Sequence, residues 1–550
     1  MDTYFGIDLG TTYSAIAYID DTGRPTPVRN SMTNDETTPS VVYFESAGNV
    51  VVGRTAKDVA QLYPDRVVSL VKRYMGKEEA WQFHGKDHTA ESISALILKQ
   101  LAQDAVQYTG KEVADVVITV PAYFGMLERD ATRNAGRIAG LNVIGIVPEP
   151  VAAALQYEVD SVGGDRTVLV FDLGGGTFDT TVIRVSSGAI DVVCTDGDQE
   201  LGGADWDARL AQYLVEQFVE KAAPAEDPSD DEQFLQEMSR LAEDTKKMLS
   251  QAESRPVAIR FGGGAAMVEV TRAKFGELTK DLMDRAIEYT RRTLATLRAK
   301  DPGATIDDVL LVGGSSKMPM VAERLAAEFG WSPRLHDPDL AVAKGAARFA
   351  LSRAVWEWQG EAGAPADEHR RDERIDEISR NTGISAAAIK DIADKKISNV
   401  LPKAFGVKLL DSDKPGWQDD PESASYIHHL VHANETLPSG ARPLQASTVV
   451  EGQTEIAIDI YEQAGSVESR EMSGNSAVDK GAGVITGLPP LKVGSPLKIT
   501  MEVDDEGTLS VYAIEPSTGK DLKIDIRVSV LSEEEVVKAT SAVSAITVRA

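Results

Sequence analysis

Cysteine is almost missing: Cys194 is the only one in 550 residues. An internal disulfide and a cysteine-based metal site are thereby excluded. No apolar run reaches the roughly 18–20 residues that a membrane-spanning helix requires. The first residues carry no basic region followed by an apolar core, so no signal peptide is read there. Positive charge is also scarce. Lys and Arg number 57 against 86 Asp and Glu, giving a net charge of −29. Such a surface repels nucleic acid and anionic membranes and favours solubility. These absences predict a cytoplasmic protein that binds neither membrane nor nucleic acid.

What is present describes a globular chain, with 42% apolar and 26% charged residues. Its length is too great for one core, so two to four domains are expected. The stretch Val168-Leu169-Val170-Phe171-Asp172-Leu173-Gly174-Gly175-Gly176-Thr177-Phe178-Asp179 organises the reading. Four apolar residues running into an aspartate predict a strand buried on both faces. The glycines behind it let backbone N–H groups approach an anion without a Cβ in the way. The same device stands at Gly6-Ile7-Asp8-Leu9-Gly10-Thr11-Thr12-Tyr13-Ser14. Two copies predict two phosphate-cradling hairpins that face one polyphosphate. Each aspartate then ends a strand at the cleft, where a hydrated Mg²⁺ would satisfy its charge; buried without a partner it would cost several kcal/mol.

Strands and helices alternate through the first 355 residues. A helix is predicted over residues 90–109, with Ile93, Leu96, Ile97, Leu101 and Val106 on one side and Gly110 as its stop. Val116–Val120 reads as a buried strand stopped by Pro121, and a helix carrying Arg129 follows. Glu149, fixed between Pro148 and Pro150, opens the next helix on a stiffened backbone. Gly202 and Gly203 begin a helix, residues 232–251 form another, and residues 271–300 read as helical again. Val312-Gly313-Gly314-Ser315 is a third strand-to-glycine junction. The pattern predicts an α/β fold of two related lobes around a cleft.

These motifs, with Ile118-Thr119-Val120-Pro121 and Glu149-Pro150, resemble in order and spacing the DnaK-type heat-shock chaperones over residues 1 to about 352. The resemblance implies an actin-like ATPase domain that binds ATP or ADP with Mg. It implies that Lys72 positions the attacking water or stabilises the phosphoryl charge, that Asp8, Glu149 and Asp172 hold the hydrated Mg²⁺, and that Thr177 sits against the γ-phosphate. Such chemistry needs positioning and charge neutralisation more than covalent catalysis. The nucleotide pocket it implies comprises Gly10, Thr11, Thr12, Tyr13, Gly174, Gly175, Gly176, Gly202, Gly203, Glu243, Lys246, Lys247, Ser250, Gly313, Gly314, Ser315, Lys317 and Asp339. Lys317 stands where the family has an arginine, so a planar stacking partner is lost. Pro121 and Arg129 match a pair that relays nucleotide state between the family's domains.

The rest departs further from the family. A polar insertion, residues 356–399, stands where a short apolar linker ending in aspartate is usual. Its Ile375–Ser385 and Ala386–Lys396 segments read as a helical hairpin with a Thr-Gly turn and a serine cap, and Asp372, Glu373, Asp376 and Glu377 oppose DNA contact. Residues 400–531 show short alternating strands, notably 455–461 and 497–503, the latter followed by a hairpin turn at 504–507, which predict a β-sandwich. The resemblance implies a peptide-binding sandwich lined by Val407, Leu410, Ile456 and Ile458, with Ala446 in place of a customary aromatic and an inserted loop at 411–424. Residues 532–550 are expected to begin a helical lid and leave the groove lidless, exchanging peptide quickly.

The chain is thus read as an ATP-dependent chaperone that hydrolyses Mg-ATP slowly to control binding of extended apolar peptide. A GrpE-type exchange factor is an implied partner. Dependence on J-domain proteins is not expected, because Gly145 replaces a docking arginine and the linker aspartate is missing. Two other readings are a nucleotide-gated interaction or filament protein with little hydrolysis, and a small-molecule kinase on the actin-like fold.

Overall fold

The computed structural model describes residues 3–160, 165–186, 188–356, 368–478, 483–504, 507–526 and 530–550. Part of the anticipated insertion, residues 357–367, and residues 505–506 of the anticipated hairpin turn lie outside them.

The first two sheets share one plan. In the first lobe, Phe5–Asp8 pairs antiparallel with Tyr13–Ile19, and Asp115–Val120 lies parallel on its other side. In the second lobe, Arg166–Leu173 pairs antiparallel with Phe178–Val185, and Asp308–Val312 lies parallel beside it. The central strands are apolar without alternation because helices cover both their faces. This is the α/β, two-lobed body that the repeated motif predicts.

Helices Glu149–Asp160 and Ala341–Trp356 fill the space between the lobes. Their small residues permit an approach that few side chains would tolerate. A Cβ on Gly345 would lie 1.8 Å from the Ala152 carbonyl oxygen, and one on Gly6 would lie 2.0 Å from the Ala347 nitrogen. Helix Ala90–Thr109 starts at Thr89, whose hydroxyl accepts the Ser92 N–H, and stops at Gly110 with φ 69°. Ile93, Leu96, Ile97 and Leu101 are buried, but Val106 is exposed, so the apolar stripe ends a turn early. The helix anticipated over 271–300 is two, Arg272–Leu278 and Lys280–Lys300, broken at Thr279.

The insertion folds onto this body. Glu368–Thr382 and Ala386–Ala393 are helices joined through Gly383 at φ 83°, and Ser385 caps the second by accepting the Ala388 N–H. Ile375, Ile378, Ile384, Ile389 and Ile392 are buried in the core that the two lobes share. Scattered in sequence, they converge because helical spacing stacks them on one face. Lys396–Ser398 then extends the second lobe's sheet, parallel to Ala189–Asp191.

Beyond it, two four-stranded sheets face each other around Phe405, Val407, Leu497, Ile499, Met501 and Val511. The strand anticipated over 455–461 breaks at Asp459. Ile456–Ile458 pairs with Gly483–Ile485, whereas Ile460–Gln463 pairs with Phe405–Leu410. The alternation survives the break, since Ile456, Ile458 and Ile460 all point inward.

The C-terminal segment departs from the expectation of a lid. Helix Glu533–Ser544 packs on the first lobe, and Thr547–Arg549 pairs parallel with Asn49–Val51. Its Val536, Val543, Ile546 and Val548 are buried in the first lobe's own core. The apolar positions that a lid would turn toward the sandwich are taken by that lobe.

Because Gly345 meets backbone rather than a flexible side chain, Gly345→Ala should overpack the interlobe contact, at a cost of about 1–3 kcal/mol or more. A thermal melt should show a transition several degrees lower. An unchanged melt would mean the two helices are not held this tightly.

Candidate active site

The two Asp-Leu-Gly hairpins meet tip to tip across a cleft of about 1170 Å³. A Cβ on Gly175 would lie 2.0 Å from the Thr12 hydroxyl oxygen, and one on Gly176 would lie 2.2 Å from the Thr11 methyl. Each turn is braced from behind. The Ser40 hydroxyl donates to the Gly10 carbonyl at 2.7 Å, and the Gly203 and Ala204 N–H groups donate to the carbonyls of Gly174 and Gly175 at 3.0 and 2.8 Å. Gly202 fits because a Cβ there would meet the Gly176 backbone at 2.5 Å.

Below the hairpins, like charges are crowded. Asp8, Glu149 and Asp172 line the cleft together with Lys72 and Thr177. Lys72 Nζ donates to Glu149 Oε1 at 2.6 Å, and Lys72 is almost wholly buried. The Thr119 hydroxyl donates to Asp8 Oδ1 at 3.1 Å. Burial, then the Glu149 carboxylate, pushes the Asp8 carboxyl up to about 7. The same causes raise Asp172, with Asp179 and Asp8 adding to them. Asp179 is also raised to about 7, by burial and then Glu149, although it accepts the Ala122 and Tyr123 N–H groups at 3.0 and 3.2 Å. Four carboxylates against one lysine ask for a further cation. Among the described residues no three acidic or histidine side chains converge closely enough to coordinate a metal directly. The crowded carboxylates are suited to a Mg²⁺ that keeps its waters, which Asp8, Glu149 and Asp172 would hold through them.

The upper cleft is fastened across the lobes. Glu243 of the second lobe accepts from Lys57 of the first at 2.7 Å, from Lys247 at 2.6 Å and from the Tyr13 hydroxyl at 3.3 Å. Burial works to raise this carboxyl, but Lys57 and Lys247 outweigh it and hold it down at about 2. Arg73 adds a second clasp, donating to Asp205 and to the Gly176 carbonyl. Lys246 donates to the Gly203 carbonyl and to Asp207 at 2.8 and 2.6 Å. Lys317 is drawn to Asp339 at the rim. Gly313, with φ 79°, abuts the Asp172 carboxylate and leaves no room for a side chain, and Gly314, Ser315 and Ser250 complete the wall. The structure thus brings Lys72, Asp8, Glu149, Asp172, Thr177 and most of the named pocket residues around one cleft, whereas Gly176, Gly202 and Gly203 brace the second hairpin without lining the cleft.

Sequence reasoning passed over Lys57, Arg73, Asp179 and Asp205. Asp179 had a signal, as the second aspartate of the central motif. The clasp residues had none, since they lie 132 positions apart for Arg73 with Asp205 and 186 for Lys57 with Glu243.

From Asp179 a continuous set of contacts leads out of the cleft. It fixes the loop after Pro121, whose carbonyls at Ala122 and Phe124 accept from the half-buried Arg129 guanidinium. Burial lowers Arg129 to about 10 against the pull of Glu128, Asp179 and Glu462. The sandwich answers with Glu462, which accepts the Met126 N–H at 3.3 Å, and with Lys403, buried between Glu128 and Glu462. The Tyr123 hydroxyl donates to the Gly465 carbonyl at 3.0 Å. The second lobe makes its own contacts, from the Thr195 N–H to Asn434 at 2.7 Å and from Arg292 to Ser466 at 2.9 Å. The residues named for a peptide pocket are not gathered on one open surface. Val407, Ile456 and Ile458 are buried in the sandwich core, and only Leu410, at a strand end beside the 411–424 loop, is half-buried.

A family model described as Hsp70 protein matches residues 4–352 and 422–546, most of the chain.

Glu243→Gln should speed nucleotide release by no more than about tenfold, because half-exposed Lys247 is screened by solvent. Stopped-flow release of a fluorescent nucleotide would measure it. A carboxyl lowered from 4.5 to about 2 contributes fully above 4.5 and is lost as pH falls toward 2. Release from the unmutated protein should therefore not change through this clasp across neutral pH.

Proposed function

The chain belongs to the Hsp70 family, whose members are ATP-dependent chaperones, and on that premise we propose that this one hydrolyses Mg-ATP slowly and uses the cycle to control how its sandwich holds extended apolar peptide. The observation that carries the reading is the pair of Asp-Leu-Gly hairpins closing on Lys72, the buried carboxylates of Glu149, Asp172 and Asp179, and half-buried Asp8.

ATP is taken with its phosphates between Gly10–Thr12 and Gly174–Gly176, where the absence of side chains lets backbone N–H groups come close. The metal, when bound, neutralises phosphate charge in a site of low dielectric. Lys72, fixed by Glu149, places its ammonium beside the transferring phosphoryl group and orients the attacking water. Thr177 offers its hydroxyl toward the γ-phosphate. The carboxylates crowded there repel one another, so a Mg²⁺ arriving with the nucleotide would relieve that repulsion and favour closure of the lobes. Adenosine lies against Glu243, Lys246, Lys247 and Ser250 on one side and Gly313, Gly314, Ser315 and Asp339 on the other.

Closure would move Asp179 and the Ala122–Phe124 loop, hence Arg129 and the Glu462–Lys403 pair. In this reading half-buried Leu410 and the 411–424 loop form the peptide entrance. An extended segment would add backbone hydrogen bonds there and bury one side chain.

Steady-state hydrolysis with and without an extended apolar peptide tests the whole scheme. The expected result is slow turnover that peptide stimulates, and Lys72→Ala should abolish turnover while nucleotide still binds. Turnover indifferent to peptide would leave an ATPase whose sandwich recognises something else. No turnover with intact binding would favour a nucleotide-gated interaction protein.

A further inference from the structure

Both ends of the sandwich are fastened to the lobes, each to a different one. The leading end follows Lys396–Ser398, paired with Ala189–Asp191 of the second lobe, and the first residue of the sandwich core, Leu401, is three positions on. The trailing end runs into residues 532–549 on the first lobe. Ser532 and Glu535 form a reciprocal cap at the start of the helix there. Arg137 grips Glu533 through two bonds of 2.9 and 2.7 Å. Lys99 Nζ donates to the Val543 and Ile546 carbonyls at 3.0 and 2.8 Å, adding a charged donor where the helix ends. The strand then continues the first lobe's sheet, with the Thr547 N–H donating to the Gly48 carbonyl at 2.9 Å and Val548 opposite Val50.

We propose that residues 532–549 act as a strap that keeps the sandwich docked in every nucleotide state, so that lobe rotation tilts the sandwich without releasing it. Helix, cap, lysine clamp and added strand are mutually supporting, and the helix and strand are anchored in one apolar core. The leash is short at both ends. Ile526 and Ser532 are six positions apart, which limits free travel to roughly 20 Å at full extension, and the three positions from Ser398 to Leu401 allow roughly 10 Å. Full separation would require peeling a paired strand from one lobe or the other.

The inference leans on the nucleotide reading only for what drives the rotation; the strap itself does not depend on it. Spin labels at Met267→Cys in the second lobe and Val484→Cys in the sandwich, both exposed positions, report the separation in a Cys194→Ser full-length chain. Nucleotide binding is measured first by titration with a fluorescent analogue. With Mg-ADP and with a non-hydrolysable Mg-ATP analogue, the label distances should each form one narrow population. Lys99→Ala combined with Val548→Asp should add a broad, long-distance population in ADP. A long population in the unmutated chain, or a double variant that keeps the narrow one, overturns the strap. Hydrogen exchange on the unmutated chain gives a second measure that survives any folding failure of the variant and any failure of nucleotide to bind. Amides 547–549 should be protected at least a hundredfold relative to an unfolded peptide, and unprotected amides there also overturn it.

Discussion

Like charges forced together at the ends of two buried strands set the terms for the rest of this molecule. Asp8, Asp172, Asp179 and Glu149 cannot all ionise beside one lysine in so dry a place without cost, and the raised carboxyls of Asp8 and Asp179 record that cost. The lobes that carry them would drift apart unless something else held them. The clasps do so from above, through Lys57 with Glu243 and Arg73 with Asp205, and the small-residue packing of Gly345 on Ala152 does so from below. The cleft is held at both ends and electrostatically unsatisfied in the middle. A site built this way responds strongly to a multivalent ligand bearing a cation.

That tension has a route outward. Asp179 is at once one of the crowded carboxylates and the acceptor for two N–H groups of the Ala122–Phe124 loop. Arg129 ties the same loop to the helix that touches the sandwich. Where the sandwich meets it, Lys403 and Glu462 form a buried pair whose partner on the lobe is Glu128. Buried pairs of this kind are weak sources of stability but exacting about geometry, since breaking one leaves an uncompensated charge. The junction therefore favours discrete arrangements over a continuum.

Much of this was legible from the residues. The duplicated strand-and-glycine motif announced two related lobes, and the sheets repeat one plan around Asp8 and Asp172. The cleft residues named from their motifs face one another because glycine at Gly175, Gly176, Gly202 and Gly313 is required by close backbone approach. Patterns that depend on distant partners were not legible. The isoleucines of 375–392 look sparse in a polar stretch until helical stacking collects them, and one alternating run, 455–461, serves two different sheets because Asp459 turns the chain. The family resemblance implied a lid over residues 532–550, but Val536, Val543, Ile546 and Val548 bury their apolar face in the first lobe, and which surface such a face covers is not written in its spacing.

The added strands bear on how the chain is made. Asn49–Val52 and Ala189–Asp198 each present a row of backbone donors and acceptors that a later segment covers: Thr547–Arg549 for the first and Lys396–Ser398 for the second. During synthesis the second edge is sealed once residue 398 has emerged, whereas the first stays open until residue 549. An uncovered strand edge is a template for pairing with other chains. A nascent form in which Thr547–Arg549 has not yet been made would carry that adhesive edge, and a protein whose kin guard others against aggregation would itself be most in need of guarding until that strand arrives.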